Sequence, residues 1–565
     1  MSANILSSRS MFLIILFALI LPISKANSQN TGETKIMQIC DSEIARTMQS
    51  LKSQQYPPYF LSYYISDNRN TRISSTLGVT DNLSVDSSRI LDIQIRVGNY
   101  DFDNTHLIRG NPLNFSSSFG RIPLTFKDDE AAIKDQIWFA TDRAYKDAIE
   151  RYEKALTNSK VKVKEDDTSA DFSKENPVVA VENGFLYKVN PSDFVPMLNR
   201  LSAKFLSYKW ILNSSVSLIG NSRCKTIVTS EGTKIQTYEN YFYIFVTAST
   251  KADDGMTLPL YQSYFAYSPD SLPDESTISA SIDKIVDLLG KLREAPYAET
   301  YTGPAILSGR AAGVFFHEIF GHRVEGFREK DPNSSQTFKK SVGTKILPDF
   351  MSITFDPTKR ELNGHLLAGF YQYDDEGVKA QKVDVVEDGI FKNFLMSRTP
   401  IEGFPNSNGH GRKQAGYSPV TRQSNLIVNA TKTETIDELR TDLRKIAEQQ
   451  GKEYGLLFED VSGGFTFTNR TIPNAFNVTP LVVYKVFVDG RPDELVRGVD
   501  LIGTPLSTFA NIVAVGNNMD TFNGICGAES GGVPVSASSP TILVSRIEVQ
   551  KKMKSQSKPP ILSAP

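Results

Sequence analysis

Two histidines and a glutamate form the segment of this sequence best suited to chemistry. His317 and Glu318 are followed by His322 in the order His-Glu-x-x-x-His, and the chain has only five histidines in all. Zinc prefers imidazole nitrogens as ligands, and a carboxylate beside them is placed to take a proton from a zinc-bound water. The segment therefore predicts a zinc site with His317 and His322 as ligands and Glu318 as the group that activates the water.

The spacing of the two histidines conflicts with a regular helix. A helix turns about 100° per residue, so His317 and His322 would point about 140° apart, against about 40° for a His-Glu-x-x-His spacing. Gly321 precedes His322, and glycine tolerates the left-handed or bulged backbone that would swing the next side chain round. We expect a helix from Ser308 that ends or distorts near Gly321. The alternative is that both histidines are ordinary core residues.

A catalytic zinc site needs a third protein ligand besides the two histidines. His365, His410 and Cys526 are the candidates, and spacing does not choose among them. Cys526 lies in the glycine-rich run from 523 to 532, which would allow a thiolate to approach closely. A buried cysteine is also an ordinary small apolar residue, so the residues themselves leave the third ligand open.

The elements that must position these residues differ along the chain. Apolar runs at 59–65, 91–97, 225–229 and 241–247 predict strands, whereas apolar residues spaced by three and four predict helices at 129–156 and 279–293. After residue 299 the pattern changes to short β runs separated by aspartate-glycine turns. One helix interrupts these runs, with Thr435 and Glu438 as its capping box and Gly451 just past its end.

These patterns predict an α+β protein. Its N-terminal α/β segments contain a long helix, and its β-rich C-terminal domain carries the HExxxH helix. The predicted units are a signal peptide at 1–26, an N-terminal α+β domain at 27–157, a linker at 158–177, a middle α+β domain at 178–295, the β-rich domain at 296–550 and a disordered tail at 551–565.

Composition and the N-terminus bear on the class and location of the protein. The 62 Lys and Arg residues are balanced by 64 Asp and Glu residues, which argues against a nucleic-acid-binding protein. Arg9 precedes the apolar run 11–21, which is about half the ~20 residues of a membrane span and is followed by small residues near Ala26. We expect a secreted or periplasmic protein with no stable membrane insertion after signal cleavage; an uncleaved anchor is the alternative.

The chain has three cysteines, an odd number for an oxidising compartment. If Cys526 is kept for a metal, Cys40 and Cys224 remain, and they would form a disulfide only if the fold brings them together.

Several motifs after residue 301 resemble those of the TldD/PmbA family of zinc metallopeptidases, in the same order. The run His317-Glu-Ile-Phe-Gly-His322 continues into Arg323-Val-Glu-Gly326, and later blocks stand at 374–377, 387–392, 407–412, 515–520, 523–526 and 534–535. The resemblance covers roughly 302–549, and the earlier segment resembles the family only in its succession of elements. Since the chain has every element of the metal motif, it resembles the TldD-like branch rather than the branch that lacks it.

The resemblance implies a function and a set of site residues. It implies a zinc-dependent peptidase that hydrolyses short or unfolded peptides, with His317, His322 and Cys526 on Zn²⁺ and Glu318 as the catalytic residue. His410 stands where the family is expected to have asparagine, so His410 and Arg412 are candidates for substrate contact. The resemblance also implies a homodimer, or a heterodimer with a related subunit. The competing hypothesis is a non-catalytic peptide-binding or partner subunit whose zinc is structural.

Overall fold

The structure is a computed structural model that describes residues 33–108, 121–160, 167–470, 476–503 and 509–552, together with 560 and 562. The predicted signal peptide at 1–26 and most of the predicted tail at 551–565 lie outside these ranges. Within them, no helix is long and apolar enough to cross a membrane.

The described residues include α-helices of very different length. The α-helices are α1 (Lys35–Leu51), α2 (Glu130–Ser159), α3 (Pro191–Ala203), α4 (Glu275–Glu294), α5 (Gly309–Ile319), α6 (Phe327–Lys330) and α7 (Ile436–Gln449). Short 3-10 turns occupy Lys204–Ser207, Pro269–Ser271 and Gly321–Arg323.

A twisted sheet of seven strands forms the N-terminal half. Its strands are β1 (Pro58–Thr76), β2 (Val79–Val97), β3 (Ile122–Pro123), β4 (Val179–Val181), β5 (Asn213–Thr229), β6 (Lys234–Lys251) and β7 (Thr257–Ala266). They are ordered β3-β2-β1-β5-β6-β4, and β7 also pairs with β6. Helices α1 and α2 pack on one region of this sheet and α3 and α4 on another, each over its own apolar cluster.

The C-terminal half is built on a sheet of eleven strands. The strands of this half are β8 (Tyr301–Leu307), β9 (Met351–Phe355), β10 (Glu361–Leu362), β11 (His365–Leu366), β12 (Val383–Glu387), β13 (Ile390–Phe391), β14 (Gly411–Arg412), β15 (Val420–Thr421), β16 (Asn425–Ala430), β17 (Tyr454–Thr466), β18 (Phe476–Phe487), β19 (Glu494–Val496), β20 (Val499–Gly503), β21 (Ile512–Ala528) and β22 (Gly531–Lys551). The main order is β13-β12-β9-β16-β22-β20-β18-β17-β8, with β21 also on β22, while β10-β11 and β14-β15 pair separately. Because β22 also pairs with β8, the strands from β22 to β8 close into a ring.

Helix α5 is the element that links this sheet to the predicted site. It packs against β22, β17 and β21, and all of its residues except Arg310 are buried. A helix that is apolar on nearly every face belongs inside a core. The α+β class, the long N-terminal helix and the β-rich domain around the HExxxH helix are thus confirmed.

The predicted division of the N-terminal half needs correction. Strand β1 comes from the segment 27–157 and β5 from the segment 178–295, yet they pair continuously from Ser62–Thr229 to Ser75–Val216. One sheet therefore spans both predicted domains. The described part of the predicted linker is packed rather than extended: Phe172 is buried, and Nε of Arg398 donates to the carbonyl of Ser173 at 3.1 Å. Long-range strand pairing overrides the polar composition that suggested a boundary.

The local patterns match the observed elements more closely. Thr435 and Glu438 form both bonds of a capping box at the start of α7, and Gly451 has a φ of +65° just past its end. Cys40 and Cys224 are both free and buried, so the structure contains no disulfide between them.

Candidate metal centre

The end of α5 sets the positions of the two histidines. Ser308 caps the helix by accepting a hydrogen bond from the backbone N–H of Ala311, and the helix stops at Ile319. Phe320 has φ −119° and ψ −54°, and a 3-10 turn begins at Gly321. This break brings the ring centroids of His317 and His322 to 5.0 Å apart at an interplanar angle of 80°. The expectation that the helix ends near Gly321 is confirmed.

The structure favours glycine at position 321 for a different reason from the predicted one. Its φ is not positive, so the turn does not depend on a left-handed conformation. A Cβ at this position would instead lie 1.9 Å from Oε1 of Gln423. Gln423 also donates from Nε2 to the carbonyl of His317 at 3.3 Å. Glycine fits here because the amide end of Gln423 packs directly against the backbone that joins the two histidines, and a Cβ would require that side chain to move.

Cys526 reaches the histidines because α5 lies very close to the β21–β22 hairpin. Cβ atoms built on Gly309 and Gly313, about two turns and one turn before His317, would each lie 2.6 Å from a carbonyl oxygen of β22. Cys526 is on β21, opposite Val533 of β22. Its Sγ lies 3.4 Å from Nε2 of His322. Small residues on α5 thus allow the contact between helix and hairpin that brings the thiol to the imidazoles.

The three side chains fit a metal ion. One donor atom from each of His317, His322 and Cys526 lies within 4.8 Å of the other two, and all three residues are buried. Two imidazoles and a thiol are donors that zinc prefers, and three protein ligands leave a fourth position open. Burial opposes ionisation of the Cys526 thiol, but the facing His322 and His317 hold its pKa well below the usual value. A thiolate is the form that binds metals.

The other two candidates for the third ligand lie elsewhere. His365 is exposed on β11. His410 is fully buried, with Nε2 at 3.1 Å from Oγ of Ser424 and Nδ1 at 3.1 Å from Oδ1 of Asn408. Burial lowers the pKa of His410 to about 3, so its imidazole is neutral. Neither residue belongs to the cluster, so the structure favours Cys526 as the third ligand.

Glu318 lies at the wall of a cavity of about 920 Å³ beside the cluster. It is buried, and burial raises the pKa of its carboxyl, although His317 and His322 act in the opposite direction. Gly464 of β17 lies against it, since a Cβ there would be 2.6 Å from Cγ of Glu318. Within the described ranges, no hydrogen bond engages its carboxylate. The group is therefore positioned by packing and remains available to a ligand.

A buried carboxylate that sequence reasoning missed orients His322. Oε2 of Glu325 lies 3.2 Å from Nδ1 of His322 and 2.9 Å from Nε of Arg328. Arg328 in turn binds Glu529 at 2.7 Å, next to the Cys526 strand segment. A carboxylate on the far nitrogen of a ligating histidine fixes the tautomer and ring orientation. The signal in the sequence was His322-x-x-Glu325, which the 3-10 turn converts into a direct contact.

The cavity holds about 920 Å³ and lies between the two halves of the chain. Its C-terminal wall carries the cluster, Glu318 and parts of β17 and β21. Its N-terminal wall is one face of the seven-stranded sheet, because alternate residues of a strand point to the same side. The residues of β5 and β6 on that face are Ile219, Asn221, Arg223, Lys225, Glu239, Tyr241, Tyr243 and Phe245.

The two predicted substrate-contacting residues have different environments. Arg412 is buried on β14 and lines the cavity. His410 does not line it, and its ring faces Ser424 and Asn408 instead. The structure therefore favours Arg412 over His410 for contact with substrate, and both contacts stay predictions. Side chains alternate along an extended chain, but the turn before β14 places His410 in the protein interior.

A buried set of two imidazoles, one thiol and one carboxylate beside a large cavity is typical of metal-dependent hydrolases. Residues 300–551 match the family model described as the PmbA/TldA metallopeptidase C-terminal domain. This match, over somewhat less than half of the chain, and relatives named TldD homologues confirm the resemblance to the PmbA/TldD family in the C-terminal domain.

Proteins named as metalloproteases match this chain over part of its length. A metalloprotease of Archaeoglobus fulgidus is 31% identical over 260 residues, which cover 46% of this chain and 56% of that protein. A zinc metalloprotease TldD homologue of Saccharolobus solfataricus is 24% identical over 249 residues, which cover 44% of this chain and 51% of that protein. The chain thus spans about half the length of these relatives.

The fold likeness extends over nearly the whole chain. The crystal structure of TldE from Thermococcus kodakarensis aligns with a TM-score of 0.57 and 14% identity, covering 92% of this chain and all of that one. The N-terminal half therefore shares the architecture of this structure even where the sequences have little in common.

Proposed function

We propose that this chain is a zinc-dependent metallopeptidase that hydrolyses peptide bonds in short or unfolded peptides. The observation that carries the proposal is the meeting of His317, His322 and Cys526 within 4.8 Å beside Glu318 at the wall of a cavity of about 920 Å³. Relatives named metalloproteases and a zinc metalloprotease support it.

His317, His322 and Cys526 would hold the zinc. When bound there, zinc supplies a Lewis acid that polarises a carbonyl and lowers the pKa of water. Glu318 accepts a proton from the attacking water at its carboxylate and gives a proton to the leaving amine. Glu325 keeps Nε2 of His322 directed at the cluster by holding Nδ1.

The substrate class follows from the cavity. Walls from both halves of the chain surround the cluster, so a folded protein surface is less suited to the site than an extended peptide. Strand β21 bridges Glu434 at Gly516, but among the described residues its part from Met519 to Ala528, which carries Cys526, pairs only with β22. Its other edge offers backbone hydrogen bonds to a peptide strand, a mode of recognition that tolerates many sequences.

Assembly and location are further parts of the proposal. We infer a homodimer or a heterodimer with a related subunit, in line with the fold it shares with TldE. We also infer secretion or a periplasmic location from the apolar run 11–21. The mass and oligomeric size of the purified chain from its native compartment test both: an intact N-terminus and a monomer would contradict them.

The catalytic proposal is tested by Glu318→Gln, which removes the base and leaves the three donors in place. We expect zinc content equal to that of the wild type and a loss of peptide cleavage of at least 100-fold, the lower range for general acid–base catalysis. Glu459→Gln serves as the matched control, since it lies on β17 outside the cavity lining. Equal cleavage by the wild type and Glu318→Gln would contradict the proposed role of Glu318 in catalysis. Bound zinc with no wild-type cleavage of a broad peptide library would favour the non-catalytic peptide-binding subunit.

A further inference from the structure

The Lys and Arg side chains of the cavity wall share one pattern of ion pairing, with one exception. Those that are buried or largely buried make ion pairs with carboxylates. The pairs are Arg223 with Glu239, Lys225 with Glu239 and Asp375, Arg328 with Glu325 and Glu529, and Lys413 with Asp92. A buried charge is costly unless it is paired, so this pattern is the expected one.

Arg412 is the exception. Its side chain is only 4% exposed and lines the same cavity, yet within the described ranges no carboxylate is in ion-pair contact with it. Three acids of the wall make ion pairs, and Asp375 is the one nearest to Arg412 in sequence. Its carboxylate pairs with Lys225 at 3.1 Å. The protein thus holds a guanidinium in a low-dielectric site without an anion of its own.

Two contacts hold this guanidinium in a fixed orientation. Nη1 of Arg412 donates to the carbonyl of Gln423 at 2.6 Å, and the group lies 4.6 Å from the ring centre of Tyr371. Tyr371 is itself anchored, because its hydroxyl donates to the carbonyl of Gly409 at 2.8 Å. Only one of the five N–H donors of Arg412 is used by these bonds. The rest form a planar fork suited to two oxygens of a carboxylate.

The same contacts tie Arg412 to the metal centre. Gln423 accepts from Arg412 through its carbonyl and donates through Nε2 to the carbonyl of His317 at 3.3 Å. A single residue therefore bridges the unpaired cation and a proposed metal ligand, and both line one cavity. An anionic group held by Arg412 would lie in the same chamber as the bond to be cut.

We propose that Arg412 binds a carboxylate of the peptide substrate and so makes this peptidase selective for substrates with a free C-terminus or an acidic side chain. This inference rests on the proposed function for the identity of the ligand as a peptide. The two sources share one chemistry, a carboxylate that meets the open side of the guanidinium fork.

The test measures binding, so that it does not depend on turnover. Fluorescent peptides bind to the full-length Glu318→Gln protein in two matched series: free acid against C-terminal amide, and internal Glu against Gln. We expect the carboxylate member of at least one series to bind 10- to 100-fold more tightly, the range of a charged hydrogen-bonded contact. A gain in the first series identifies the C-terminus, and a gain in the second identifies a side chain. Equal binding throughout both series would overturn the proposal.

Substitutions assign the preference to Arg412. Arg412→Met should remove the preference, so that each carboxylate peptide binds no more tightly than its amide or Gln partner, and Arg412→Lys should retain part of it. Arg360→Met is the matched control, because Arg360 also lies over aromatic rings, 4.5 Å from Tyr267, but is outside the cavity lining. If Arg412→Met does not fold, the Lys variant and the peptide series on the Arg412 protein still decide the question.

Removal of zinc separates Arg412 from the metal as the source of the preference. The peptide series is repeated on chelator-treated protein, where a carboxylate can no longer bind a metal ion. A preference that persists and still depends on Arg412 supports the proposal, whereas one that disappears with the metal overturns it. A failure of the peptidase mechanism would appear instead as equal cleavage by wild type and Glu318→Gln, which is a separate measurement.

Discussion

Sγ of Cys526 lies 3.4 Å from Nε2 of His322, although 204 positions separate the two residues in the chain. The contact joins a β-hairpin to the turn that ends a buried helix. It brings a soft sulfur donor to two imidazoles, a set of donors that selects zinc over the hard cations magnesium and calcium.

Replacement of Cys526 by serine should reduce bound zinc, because a hydroxyl is a poor substitute for a thiolate. We expect less than half the zinc content of the wild type after dialysis, measured by elemental analysis. Cys224→Ser is the matched control, since Cys224 is also buried and free but lies on β5. Unchanged zinc in Cys526→Ser would remove this residue from the set of ligands.

Replacement of Glu325 by glutamine should weaken zinc binding without touching a ligand. The substitution removes the negative charge that holds Nδ1 of His322, and loss of such a partner typically costs 10- to 100-fold in metal affinity. Competition with a chromogenic chelator gives the affinity. Glu402→Gln, at an exposed position, should leave it unchanged. An affinity equal to that of the wild type would show that Glu325 only balances Arg328.

Replacement of Gly321 by alanine should destabilise the protein through a specific clash. The new Cβ would lie 1.9 Å from Oε1 of Gln423, and overpacking of this kind costs about 1–3 kcal/mol. Gly290→Ala is the control, because its Cβ would meet Trp210 only at 3.9 Å. Denaturant unfolding measures both.

The clash also makes a prediction about a pair of substitutions. Truncation of Gln423 to alanine in the Gly321→Ala background should restore part of the lost free energy of unfolding, since the offending atom is gone. Additive losses in this double-mutant cycle would contradict the packing explanation.

His410 should make the stability of the protein depend on pH. Burial lowers its pKa to about 3 in the folded chain, while the unfolded chain has a value near 6.5. Between these values the unfolded state binds a proton that the folded state does not, so stability rises with pH and is lost as the pH falls below about 6.5. The slope for one such group approaches about 1.4 kcal/mol per pH unit.

His410→Asn removes the titrating group and should flatten this slope between pH 6.5 and 5, as measured by denaturant unfolding at several pH values. The exposed His365→Asn is the matched control and should leave the slope as it is in the wild type. An unchanged slope in His410→Asn would show that other groups set the acid sensitivity.

Local patterns in the sequence were enough to predict several elements. The capping box of Thr435 and Glu438 forms as expected, and the apolar spacing of 129–156 corresponds to α2. Both patterns depend on contacts between residues three or four positions apart, which a sequence displays directly. The break of α5 before His322 was also predictable, because two imidazoles 140° apart on a regular helix could not reach one metal ion.

Features that depend on distant contacts were not predictable in this way. The polar stretch after residue 157 suggested a boundary, but β1 and β5 pair across it. The sequence favours Gly321 for its backbone freedom, whereas in the structure the side chain of Gln423, from the segment between β15 and β16, packs against it. His410 and Arg412 stand two residues apart, but one is buried in the interior and the other lines the cavity.

The sequence by itself determined the chemical types of the site, since two histidines and a glutamate at this spacing have few roles other than at a metal. Only the tertiary structure decided that Cys526 rather than His365 or His410 completes the cluster and that Arg412 is left without an anion. The physical reason is that ligand geometry and charge pairing act through space over a few ångströms. Strands far apart in the chain supply those contacts, and their pairing is not written in any local pattern.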